Sequence, residues 1–136
     1  MSRRHAVTFA IATLVTCAGA VAACGGEVPQ ADPSLSPAAI EGHQIALNSG
    51  CAACHGGDFR GGVAPSFQGL AGATITLNDG SKVLADTAYL TRAIEQPQAQ
   101  VTKGYLIQMP ANSLTPDQVA KVVAYIEALG PPRTSG

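Results

Sequence analysis

Two thiols and an imidazole stand together in Cys51-Ala52-Ala53-Cys54-His55, with the cysteines three positions apart and the histidine directly after the second. On a helical turn, that spacing lets both thiols add to the two vinyl groups of one haem, and it sets the imidazole under the iron as an axial ligand. Other uses of such a pair compete with this one. Zinc needs four ligands, usually including a second Cys pair, and none is available because Cys17 and Cys24 are accounted for by the amino-terminal export signal. A redox dithiol has no need of His55 and should follow a βαβ pattern, which is missing here. A structural disulfide is the plainest alternative, although closing a loop over two residues strains it. Covalent attachment of a single haem c uses all three side chains.

Haem iron takes a sixth ligand, and that ligand decides the chemistry. Met109, the only methionine apart from Met1, lies 54 residues after His55 and is followed by Pro110. A lone Met is ordinarily a filler of core gaps. This one falls in a stretch between Pro97 and Pro110 with no helical or strand period, and Pro110 biases it towards extended backbone. His43, Lys82 and Lys103 are the other candidate ligands, with His43 expected on the surface of a helix.

Helical segments must position these groups. A helix is expected over Pro37–Asn48, carrying Ile40, Ile45 and Leu47 and leading into the Cys motif. Asp86 is a good N-cap for a short helix with Leu90 and Ile94 on one side, stopped before Pro97. The last helix is the best specified. Thr115 caps it, Pro116 takes its first position and Gln118 completes a capping box. Val119, Val122, Val123, Ile126 and Leu129 then form one apolar stripe, which Gly130 ends. Thr74-Ile75-Thr76-Leu77 and Lys82-Val83-Leu84 flank Asn78-Asp79-Gly80, a hairpin signal.

The chain of 136 residues suits one domain, and its formal net charge of −1, with only 12% charged residues, excludes the basic footprint of a nucleic-acid binder. Arg3, Arg4 and His5 precede an apolar run over residues 6–23, the composition of an export signal. Val21-Ala22-Ala23-Cys24 resembles a lipoprotein cleavage box, in which Cys24 becomes the acylated first residue. Ordinary cleavage at a small-residue site and an uncleaved anchor are the alternatives. All three put the remainder outside the cytoplasm. Residues 24–37 then form a lipidated Cys and a Pro/Gly-rich linker, 38–130 the domain and 131–136 a tail. Beyond residue 23, six basic side chains face nine acidic ones, a net charge of −3, and the aromatics number five: Phe59, Phe67, Tyr89, Tyr105 and Tyr125. So few large side chains make a thin core unless a flat apolar cofactor fills it.

The ordered set CAACH, Ala64-Pro65-Ser66-Phe67-Gln68-Gly69-Leu70-Ala71-Gly72, Met109-Pro110 and the terminal helix resembles a class I (mitochondrial-type) cytochrome c over about residues 38–130. The segments 77–90 and Lys103-Gly104-Tyr105 are most similar to the haem-c domain fused to subunit II of some bacterial haem–copper oxidases, whose membrane helices and copper domain this chain lacks. The resemblance implies a mostly α class I fold around one covalent haem with a small β-hairpin. It also implies thioethers at Cys51 and Cys54, axial ligands His55 and Met109, and a Pro65 carbonyl that accepts the His ring N–H. Gly42 and Tyr125 match the crossing of the first and last helices, and Tyr89 and Tyr105 are expected near the haem or packed beside it. With both axial positions filled, such a protein carries electrons and is not an enzyme. The expectation is one-electron transfer by a membrane-tethered carrier in an extracytoplasmic respiratory chain. Its partners would be a membrane oxidase, reductase or dehydrogenase, met through weakly charged, transient contacts. An electron-accepting subunit of a periplasmic dehydrogenase, and a haem sensor or peroxidase with a labile sixth site, are the alternative functions.

Overall fold

The computed structural model describes residues 34–130, so the signal, Cys24 and most of the linker lie outside the described residues. Four helices and one hairpin follow in order: α1 (Pro37–Asn48), α2 (Ala52–His55), β1 (Thr74–Thr76), β2 (Lys82–Leu84), α3 (Thr87–Glu95) and α4 (Pro116–Ala128). Each of the three longer helices starts where the sequence supplies an acceptor for its open N–H groups. Ser36 caps α1 through the Ala39 N–H, and the Asp86 carboxylate accepts from Tyr89 N–H at 2.8 Å. Thr115 and Gln118 form the reciprocal capping box on α4.

α1 packs mainly on α4, with α3 against α4 as a lighter contact. The buried face of α1 is Ala39, Gly42, His43 and Ala46; the larger Ile40, Ile45 and Leu47 are only partly buried. The reason is distance. A Cβ on Gly42 would overlap the main-chain carbonyl of Lys121 on α4, so the helices approach closer than branched side chains would allow. His43 is therefore not a surface residue: it is 5% exposed, its ring centroid 4.8 Å from that of Tyr125 and 5.7 Å from that of Phe59. At the rim of this crossing, the Lys121 amine reaches Glu41 at 2.8 Å and Asp117 at 2.9 Å. Those carboxylates hold it above the usual lysine range, Glu41 foremost.

The hairpin pairs Ile75 with Val83 in antiparallel register. Its connection closes through Leu77 N–H to the Ser81 carbonyl at 2.8 Å, with the Asp79 carboxylate accepting from Ser81 N–H at 2.9 Å. A feature the sequence did not announce extends it: Leu77 bridges Thr102, Asn78 N–H donates to Val101 O, and Lys103 N–H donates to Thr76 O. The hairpin thus fixes the chain entering the Met109 segment.

Candidate functional site

The Cys-x-x-Cys-His motif is one helical turn, with Cys51 in helical backbone at its N-cap and the His55 N–H bonded to the Cys51 carbonyl at 3.0 Å. Gly56 ends the turn with φ 88°, and a Cβ there would strike the backbone of Gly61, so the chain can double back only at a glycine. The returning segment is bonded directly to the motif: Ala64 N–H to the Cys54 carbonyl at 3.1 Å and Gly61 N–H to the His55 carbonyl at 2.9 Å. Behind it stands Phe59, fully buried and in left-handed backbone (φ 57°). Its ring stacks on Phe67 with centroids 4.8 Å apart and planes at 10°, and Phe67 in turn lies 4.6 Å from the His55 ring.

This return brings the Pro65 carbonyl 2.7 Å from His55 Nδ1. A carbonyl only accepts, so Nδ1 carries the proton and Nε2 keeps its lone pair, the tautomer a metal ligand needs. Burial lowers the His55 pKa and so favours the neutral ring, an effect the Pro65 hydrogen bond partly opposes. Cys51 and Cys54 are both free thiols, and burial raises the Cys51 pKa. No disulfide joins them, and among the described residues no group of three or more His, Cys, Asp or Glu side chains is arranged to hold a metal ion by itself.

A crevice of about 510 Å³ opens in front of these groups. Cys51, Cys54, His55, Pro65, Met109 and Pro110 all line it. Leu90, Ile94 and Val122 line the interior, while Tyr89 and Tyr105 also face the space. Tyr89 is tied by its hydroxyl to Thr102 Oγ1 at 3.3 Å. His43, Lys82 and Lys103 do not line this crevice. His43 instead packs between α1 and α4, and Lys82 and Lys103 are exposed. Sequence reasoning missed Phe59 and Gln98; the latter's amide donates to the Met109 carbonyl at 2.9 Å. An aromatic residue and a glutamine in irregular chain carry no periodic signal that could have marked them.

An apolar cavity, two thiols on its wall and a neutral imidazole beside them suit a flat, hydrophobic, iron-bearing ring. Residues 39–130 match the cytochrome c family. The chain belongs to the cytochrome c family. That membership implies haem c, ordinarily attached through cysteine, and the crevice's two thiols, imidazole and apolar lining fit it by donor chemistry. Among solved structures, cytochrome cH from Methylobacterium extorquens is similar, with 26% identity over 66% of this chain and 97% of that one and a TM-score of 0.50. No curated protein sequence gives a significant match. The fold is thus that of a class I cytochrome c, mostly helical with a small two-stranded antiparallel sheet. Nothing in these matches extends to an oxidase subunit.

Proposed function

We propose that this cytochrome c is a one-electron carrier whose haem is held by thioethers at Cys51 and Cys54 and ligated by His55 and Met109. Haem c supplies one-electron exchange between ferric and ferrous iron. The chain's part is to hold both axial donors in either oxidation state, so that little reorganises on transfer. His55 is oriented by the Pro65 carbonyl, whose hydrogen bond also raises the basicity of the ligating nitrogen. A thioether donor favours ferrous iron, and the apolar walls around Leu90, Ile94 and Val122 exclude water, raising the potential further. With both axial positions filled, the site has no room for a substrate, which favours a carrier over an enzyme. The observation carrying this reading is the single crevice lined by both cysteines, His55 and Met109.

The apolar run over residues 6–23 and the sequence before Cys24 support export and lipid tethering at that cysteine. Among the described residues no helix is long and apolar enough to cross a membrane, so tethering rests on that amino-terminal sequence. Redox partners in an extracytoplasmic electron-transfer chain, such as a membrane oxidase, reductase or dehydrogenase, follow from the same reading.

Protein matured through an export pathway should keep its chromophore through denaturation and acid–acetone extraction, and the ferric form should show the near-infrared Met–iron charge-transfer band. Ferrous protein should not bind carbon monoxide at neutral pH. Loss of the chromophore on extraction overturns covalent attachment, and absence of the band overturns Met109 as the ligand.

A further inference from the structure

We propose that Gln98 and Asn112 are positioning residues that hold Met109 over the crevice and set how readily the sixth ligand is displaced. The inference rests on the reading of Met109 as that ligand. Residues 104–113 make no backbone–backbone hydrogen bond among those described. The segment is held by side chains from two directions. Gln98 Nε2, just beyond α3, donates to the Met109 carbonyl at 2.9 Å. Asn112 Nδ2 donates to the carbonyl of Ile94 at 2.7 Å, while its Oδ1 accepts from Leu114 N–H at 3.1 Å. The Ile94 carbonyl lies in the last turn of α3, where a helix leaves acceptors open, so Asn112 both closes the helix end and ties the segment to it. The chain around residues 94–98 is therefore a post to which both sides of Met109 are fastened.

Breaking one such bond favours the state in which Met109 has left the crevice, by about three- to tenfold for an ordinary hydrogen bond. An external ligand binds only that open state, so its apparent affinity rises by the same factor. The test is imidazole titration of the ferric holoprotein, following loss of the near-infrared band. Gln98→Glu keeps the length but removes the donor, and Asn112→Asp keeps the acceptor for Leu114 while removing the donor to Ile94. Each should bind imidazole about three- to tenfold more tightly than wild type. Thr87→Val, which removes an exposed hydrogen bond to Glu127 at 2.6 Å outside this segment, should leave imidazole affinity unchanged. Wild-type affinity in both Gln98→Glu and Asn112→Asp, with the band present in wild type, overturns the inference alone. Equal tightening in Thr87→Val also overturns it, because a general loss of stability would then explain the effect. A wild type without the band overturns the Met109 reading and this inference with it.

Discussion

The segment that carries His55 and the segment that carries Met109 both line one crevice but are held in different ways. On the first, residues 51–67 are knit by main-chain hydrogen bonds, glycine-enabled reversals and a stacked Phe59–Phe67 pair buried in the core. On the second, residues 104–113 hang from a hairpin edge at one end and from two side-chain amides elsewhere, with Leu106 99% exposed and Ile107 57% exposed. The first arrangement is costly to open because several contacts must fail together. The second can open locally, since each tie is a single bond near water. A crevice built this way keeps His55 fixed and leaves Met109 adjustable.

Substitutions can break or sharpen that contrast. The largest effect is expected from Phe59→Ala, which removes a fully buried ring from the His55 side; denaturant unfolding of the holoprotein should show a loss of about 3–5 kcal/mol. A loss below 1 kcal/mol would mean that this segment is not anchored through its aromatic stack. An intermediate effect is expected from acid. His43 is buried among Phe59 and Tyr125 with no partner for Nδ1, and burial lowers its pKa. The unfolded chain therefore takes up the proton more readily, and this group's contribution is fully present above about pH 6.5 and lost as pH falls towards the lowered folded value. His43→Leu should flatten the decline of stability below pH 6.5 by up to about 1.4 kcal/mol per pH unit. An unchanged slope would show that His43 is not the group behind the acid sensitivity. The smallest effect belongs to the Met109 side. Leu106→Ser should shift the unfolding free energy by no more than about 0.5 kcal/mol, and a larger loss would show that this segment is packed more firmly than its exposure implies.

Much of this organisation was legible in the chain. The capping residues Thr115 and Asp86 start helices because they satisfy open N–H groups locally, and the stripe on α4 is buried because its period matches the helix. The hairpin, and the Pro65 carbonyl on His55 implied by the family resemblance, are likewise where they were expected. What the sequence concealed depends on distance between segments. The face of α1 that is buried is the one with small side chains, because Gly42 must meet a backbone, and this draws His43 inwards with it. The pairing of residues 101–103 with the hairpin carries no period, being only three residues long. Gln98 and Asn112 are ordinary polar residues until the fold sets Met109 and the end of α3 within reach of their amides.

Pairing residues 101–103 with the hairpin also has a kinetic consequence. It shortens the free span before α4 to about ten residues, a leash pinned at both ends. Loops of that size close in roughly 10–100 ns. On the proposed ligation by Met109, a sulfur that swings out is therefore back before most dissolved competitors can diffuse in, so a competitor displaces it by binding more strongly, not by arriving first.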